Sequence, residues 1–341
     1  MKGLMTGVFM GAVLVSIPGT GSCGSEVSAR LARFDGDRAA AVSYTFDDGF
    51  RDQYTLAVPL LNQAGFKGTF FVIPGRTAAT VEEAVRKQKE KRAWGGICWP
   101  ELKIMADQGH EIASHSWSHP GLQKLTPAEV ESELVKSYDA IKAGVGRAPL
   151  TFAFPFNQST PDIKAAALKH YVACRSFQTG VGGGSTVEFL NQWADTQVRE
   201  KGYGILMFHA ISNGYAALSS PDILRDHLGY VKLHERDIWV DTFATVMRYE
   251  KEREDAKLVV TPTADGAICL LSGTLDPVVF NVPLTIVVDV PGVVSARAES
   301  DGTALAASVV GNAIRIRAVP GVRPIKLVWK QSIAPAWRGK L

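Results

Sequence analysis

From residue 39 onward the chain alternates short apolar runs with amphipathic stretches of helical period. The apolar runs fall at 40–46, 68–73, 111–114, 150–154, 171–174 and 204–208. Their lengths suit strands rather than helices. Thr126-Pro127-Ala128-Glu129 is a capping box with proline in the first turn, and it opens a helix running to about Ala143. Ser220-Pro221-Asp222 opens another, and 241–254 reads as a last one. Strand and helix in alternation predict a mostly parallel sheet with helices outside it, and this many repeats favour a barrel over an open layer.

The pattern changes at Lys257. Beyond it the sequence predicts strands at 280–290, 294–298, 304–310, 313–319 and 325–329, separated by Pro-Gly, Asp-Gly and Gly-Asn turns. Ile314, Ile316 and Ala318 alternate with Arg315 and Arg317, as in a half-exposed strand. The expectation is an α/β domain over 36–255 followed by a small all-β sandwich over 257–332. Phe280 and Trp329 are the large aromatics on the sandwich strands, so a packing module is favoured over a glycan-binding one.

The first residues read as a leader. Lys2 precedes an almost wholly apolar stretch, 4–18, and the small residues Gly19, Gly21 and Ser22 follow it. This predicts a signal peptide over 1–24, too short to span a membrane comfortably, and hence export to the periplasm, cell surface or medium. Cys23 stands where a lipid-modified cysteine would lie, although Thr20 is not the Leu or Val such a site prefers. A lipid anchor there is the one membrane attachment expected. The net charge of +3 over 341 residues is small, and the basic run 86–92 is interleaved with Gln and Glu, which argues against nucleic acid as a partner. Cys98, Cys174 and Cys269, an odd number at irregular spacing, argue against a disulfide framework.

Three of the apolar runs end in groups that carry chemistry. The run at 40–46 ends in Asp47-Asp48-Gly49, and the run at 111–114 leads into His115-Ser116-Trp117-Ser118-His119. The run at 204–208 ends in His209. The C-terminal ends of strands are where parallel α/β sheets build their sites. An Asp-Gly pair also caps helices, and a single His after a strand is commonly structural. Two imidazoles four residues apart can share a metal, and with one carboxylate they make a catalytic zinc set that leaves positions open for water and substrate.

Thr45-Phe46-Asp47-Asp48-Gly49, then His115-Ser116-Trp117-Ser118-His119, then Leu206-Met207-Phe208-His209 resembles the polysaccharide deacetylases of carbohydrate esterase family 4, over about residues 39–254. The resemblance implies a distorted, incomplete (β/α) barrel and an acetylated polysaccharide as substrate. It implies Asp47 as general base, His209 as general acid, and Asp48, His115 and His119 as ligands of zinc, or of another divalent ion such as cobalt or nickel. The family's third motif, Arg-x-Pro-Tyr-Gly, stands here as Ala153-Phe154-Pro155-Phe156-Asn157. The backbone N–H of Phe156 can still serve an oxyanion, but the usual arginine is missing. Arg175, at the end of the next strand, is the natural substitute, with a solvent-facing arginine the alternative. Asp195, in Asn191-Gln192-Trp193-Ala194-Asp195, is a candidate to orient His209. Trp99 and Trp117 are either sugar platforms or core. Removal of N-acetyl groups from peptidoglycan, chitin or an exopolysaccharide leads; an acetylxylan-type O-acetyl esterase or an inactive metal- and sugar-binding homologue are the alternatives.

Overall fold

The computed structural model describes residues 27–89, 94–321 and 323–332, together with a strand at Val13–Val15. The rest of the expected leader, with Cys23, lies outside the described residues. In chain order the elements begin with β1 (Val13–Val15) and β2 (Val27–Leu31), then β3 (Ala40–Asp47), α1 (Val58–Ala64), β4 (Thr69–Val72), α2 (Val81–Lys87), α3 (Trp99–Asp107) and β5 (Glu111–Ser114). They continue with α4 (Pro127–Val145), β6 (Thr151–Ala153), α5 (Pro161–Ala167), β7 (Ala173–Arg175), β8 (Thr179–Gly180), α6 (Val187–Glu200), β9 (Tyr203–Phe208), α7 (Asp222–Leu233), β10 (Ile238–Val240) and α8 (Phe243–Asp255). The chain divides into two compact units, 38–247 and 1–37 with 248–341.

In the first unit the strands run β7-β6-β5-β4-β3-β9-β8, every pair parallel, with β10 beside the first half of β3. Followed around, the order is that of a (β/α) barrel whose seam falls between β7 and β8, which among the described strands do not pair. The sheet is an incomplete (β/α) barrel. Strand β3 lies at its centre and is buried at all eight positions. A strand buried on both faces reads as a nearly continuous apolar run, which is why 40–46 stood out in the sequence.

The pleat sorts β3 into two sets. Val42, Tyr44 and Phe46 point outward into a core shared with Leu61 of α1, Leu102 of α3, Leu190 of α6 and Leu228 of α7. Ser43, Thr45 and Asp47 point the other way, since successive side chains alternate faces. The interior they share is floored by Phe71, Ala113, Ala153, Ala173, Ile205 and Phe243. Continuing those strands by two residues in the same phase gives His115 and Arg175, and β9 continues by four to His209. One inward phase therefore carries the chemistry to one rim.

The second unit contains two antiparallel sheets. One runs β1-β2-β13-β17-β16 and the other β11-β12-β18-β14-β15, where β11 is Lys257–Pro262, β12 Gly266–Ser272, β13 Leu284–Asp289, β14 Val293–Ser300, β15 Thr303–Leu305, β16 Ala307–Val310, β17 Ala313–Ala318 and β18 Ile325–Gln331. Ile314, Ile316 and Ala318 are buried along β17, as their alternation predicted. Two features differ from the sequence reading. Strands β11 and β12 begin at Lys257, well before the first strand expected at 280. Strand β2, placed in neither domain from sequence, pairs with β13. A strand five residues long with alternating Ser28 and Arg30 carries little apolar signal of its own; its partner, buried through Leu284–Val288, supplies the reason for it to be there.

Candidate metal centre and active site

Asp47 is the last residue of β3, and Asp48 follows at φ 72, in the left-handed region. That turn reverses the side chain, so two consecutive carboxylates reach the same rim from different sides. The Asp48 N–H donates to the carbonyl of Phe71 (3.1 Å), and its own carbonyl accepts from Gly95 N–H (2.9 Å). Gly95 is obligatory: its φ is +69, and a Cβ there would lie 2.0 Å from the Arg76 carbonyl oxygen. Ser116, His119, Phe156 and Asn157, in the loops around the site, also hold positive φ. Each such residue costs on the order of 1 kcal/mol, and strain of this kind gathers where geometry serves chemistry.

One oxygen of Asp48 lies 3.6 Å from His115 Nε2 and 3.5 Å from His119 Nε2. The three ligand atoms all fall within 4.8 Å of one another. Two donors on a tetrahedral ion at about 2.1 Å stand about 3.4 Å apart, so these separations fit a shared cation. The donors are also prepared for one. His115 Nδ1 donates to the Ala153 carbonyl (2.8 Å), which turns the lone pair of Nε2 toward Asp48. Asp48 Oδ1 is buried with no hydrogen-bond donor, an arrangement that costs free energy unless a cation satisfies it. Burial, and then the charge of Asp47, push the Asp48 carboxyl up to about 7. Burial pushes His119 down to about 3 and His115 below its usual value, so both imidazoles are neutral at neutral pH and able to offer a lone pair to a cation. The His119 ring is flanked by those of Trp94 (5.2 Å) and Phe156 (4.7 Å).

The other half of the rim is built around Asp47. Burial opposes its charge, but the Arg175 guanidinium, followed by His115, holds its carboxyl below the usual range. Arg175 makes a two-pronged contact, 2.8 Å to Oδ1 and 2.5 Å to Oδ2, and also donates to Thr45 Oγ1 (2.8 Å). Its side chain is wholly buried over the Phe71 ring. Arg175 and Ala153 are direct cross-strand partners of β7 and β6. A buried arginine paired with Asp47 thus stands one strand over from Ala153, and the small Ala153 floors the interior between. His209 reaches Asp48 Oδ2 at 3.9 Å and packs edge-on against Tyr215. Burial lowers its pKa.

The structure brings Asp47, Asp48, His115, His119, Phe156, Arg175 and His209 together. It does not bring Asp195. That carboxylate lies on the exposed side of α6 and accepts from the Tyr230 hydroxyl of α7 (2.6 Å), because Leu190 and Ala194 take the inward positions of the helix. Trp99 packs in the helix layer, against Gly144 of α4, and Trp117 against Gly75. Two residues that orient His209 went unrecognised in the sequence. The Gln53 side-chain amide donates to the Asp47 carbonyl (2.6 Å) and to the His209 carbonyl (2.9 Å), tying the ends of β3 and β9. It opens a π-helical turn, Gln53–Ala57, a bulge common at functional sites. The Asp52 carboxylate accepts the backbone N–H groups of Ile211, Ser212 and Asn213 at 2.7–2.9 Å and so fixes the loop behind His209. The one signal for either was nearness to Asp47-Asp48.

The incomplete parallel barrel thus carries two histidines, paired acids and a third histidine at its C-terminal rim. Residues 35–173 match the family model for polysaccharide deacetylase. It is 32% identical to a chitooligosaccharide deacetylase of Bradyrhizobium over 131 residues, 38% of this chain and 52% of that protein. It is 28% identical to chitin deacetylase 1 of Cryptococcus neoformans over 150 residues, 44% of this chain and 28% of that one. A match to a gellan lyase of Bacillus, at 25% identity, takes in 77% of this chain but 11% of the lyase. The chain thus spans about half or less of the length of these relatives. A family 4 carbohydrate esterase from Streptomyces lividans superposes with a TM-score of 0.44 and 17% identity, covering 59% of this chain and 91% of that one.

Proposed function

We propose that the protein is a metal-dependent hydrolase that removes acetyl groups from an N-acetylated polysaccharide outside the cytoplasm. The observation that carries this reading is the division of labour between adjacent acids: Asp47 is held charged by Arg175, while Asp48 faces His115 and His119 with a bare, buried oxygen. Zinc is the ion this donor set favours, with cobalt and nickel able to replace it. Bound there, such an ion would polarise the acetyl carbonyl and acidify a water.

The protein groups supply the proton transfers. Each Asp47 oxygen keeps a lone pair beyond the one given to Arg175, so the carboxylate can take a proton from the attacking water. The water oxygen bonds to the acetyl carbon. The carbon–nitrogen bond then breaks with its electron pair passing to nitrogen, which takes a proton from the protonated form of His209; exchange with solvent returns that proton to the imidazole and removes the one Asp47 took, leaving acetate and a free amine. The backbone N–H of Phe156, whose ring packs 4.7 Å from that of His119, is the candidate donor to the oxyanion. Amide is preferred to ester as the substrate because the deacetylases among the relatives are named for chitin, chitooligosaccharide and peptidoglycan N-acetylglucosamine. The leader expected over 1–24 supports export.

The test is acetate release from chitooligosaccharides, peptidoglycan and acetylated xylan, with and without added zinc. Release from an N-acetylated glycan that chelation abolishes and zinc restores supports the reading. Release from xylan alone moves the assignment to an esterase. No release from any, with a metal bound, sinks catalysis in favour of an inactive binding protein.

A further inference from the structure

We propose that Arg76 recognises a carboxylate on the sugar next to the acetylated one, so that the preferred polymer is acidic. The inference deepens the deacetylase reading and rests on it for the position of the scissile group.

Three arginines stand near the rim, and their surroundings differ. Arg175 is buried and paired with Asp47; Arg51 is buried and paired with Glu101. Arg76, in the turn Pro74–Arg76 directly after β4, is exposed, and among the described residues no carboxylate pairs with it. The neighbouring Lys87 ammonium is engaged by Glu83 (3.2 Å) and by the Arg76 carbonyl (2.6 Å), so the Arg76 guanidinium is left without a carboxylate among the described residues. It is close enough to act electrostatically on both Asp48 and His119.

The Arg76 head is also held in place. Its guanidinium lies 4.6 Å over the Trp94 ring and donates through one nitrogen to the Ser118 carbonyl (3.0 Å), one residue from His119. Trp94 is itself fixed against the His119 ring at 5.2 Å, and Gly95 beside it is bonded to the Asp48 carbonyl. A guanidinium stacked on an aromatic keeps its remaining N–H donors in the plane of the fork, pointing outward, which is the geometry that carboxylates accept. One nitrogen is spent on the Ser118 carbonyl, and the rest of the exposed guanidinium is left to solvent, one residue along the chain from His119. A neutral glycan gains nothing from it; an alternating uronate or lactyl-bearing glycan gains a charge-assisted hydrogen bond.

The experiment uses the full chain and two hexasaccharides: hyaluronan, which alternates glucuronate with N-acetylglucosamine, and neutral chitohexaose. Binding is measured by calorimetry at low and high salt, and kcat/KM by acetate release. The wild type should bind the acidic hexamer more tightly, with the preference shrinking as salt rises. Arg76→Gln should weaken acidic binding about tenfold and leave the neutral ligand within about twofold. Arg76→Lys, which keeps charge but not the fork, should fall between. Equal losses on both hexamers, or no acidic preference in the wild type, would overturn the subsite. Arg76-dependent binding without acetate release from either hexamer would support the subsite while removing the deacetylase reading.

Discussion

The two faces of β3 are both buried and treat ionisable groups in opposite ways. On the inner face Asp47 is kept charged, because a guanidinium is buried with it. On the outer face Tyr44 donates to His227 of α7 (3.0 Å), which in turn donates to Asn191 (2.9 Å), and both rings are neutral. Burial pushes His227 down to about 4 and Tyr44 well above its usual value. A buried charge is costly unless paired, so a fold admits one where it is used and neutralises the rest. Substitutions on the inner face should therefore change chemistry, and those on the outer face should change stability and its pH dependence.

The largest effects should come from the metal half of the inner rim. Asp48→Asn and His115→Ala should each lose both the bound ion and activity, read by metal analysis alongside acetate release. His209→Ala should keep the ion and lower kcat by roughly 10²–10⁴-fold, the range of a positioned proton donor. If His209→Ala lost the ion as well, the imidazole would be a ligand and the split between the two halves would fail.

Much of the metal half was legible because its residues sit in short motifs at strand ends: Asp47-Asp48-Gly49 and the His115–His119 pair are each contiguous. The alternation of apolar runs with helices likewise announced the barrel. The other half was harder. Arg175 was found by its place at a strand end, and the reason it works, its cross-strand register with Ala153, exists only once the sheet is paired. Asp195 was misplaced because an acid close in sequence to a functional strand need not be close in space; helical phase turned it to solvent and to Tyr230. Gln53 and Asp52 act through backbone carbonyls and N–H groups, and no periodicity or motif marks such contacts. Strand β2 escaped for the related reason that its burial belongs to its partner, β13.

The arginine paired with Asp47 offers a sharper cut between the two faces. Arg175→Ala should lower turnover by about 10²-fold or more and destabilise the protein by about 3–5 kcal/mol, since it leaves Asp47 buried and unpaired. Adding Asp47→Asn to that variant should recover most of the stability and none of the activity. Recovery of neither would mean that the guanidinium matters for packing over Phe71 rather than for charge. A smaller effect is expected at Gln53. Gln53→Ala should lower kcat by about tenfold with little change in KM, because the acid and base shift while the ion and the substrate-facing loops remain. Gln53→Glu, which keeps the size but reverses the bonding character toward two carbonyls, should not rescue it. A rescue would sink the bridging role.

The last expected effect lies on the outer face and is visible only against pH. His227 and His110 are buried, and burial lowers each to about 4; the Gly68 N–H donates to His110 Nδ1 (3.1 Å), which requires a neutral ring. Unfolded, each would titrate near 6.5. Between those values the unfolded chain binds the extra proton, so stability rises with pH there. The contribution is therefore complete above about 6.5 and is lost as pH falls toward 4, with a slope of up to about 1.4 kcal/mol per pH unit for each histidine. Urea unfolding between pH 4 and 7 measures it. His227→Gln, which keeps a polar group opposite Tyr44 but cannot take up the proton, should be less stable at pH 7 and yet remove its share of the slope. Asp47→Asn removes a charge that raises the Asp48 carboxyl and the neighbouring imidazoles, so it should steepen the slope above pH 5 rather than flatten it. If His227→Gln left that slope intact while Asp47→Asn flattened it, the acid sensitivity would belong to the inner face, and the contrast between the two sides of β3 would be reversed.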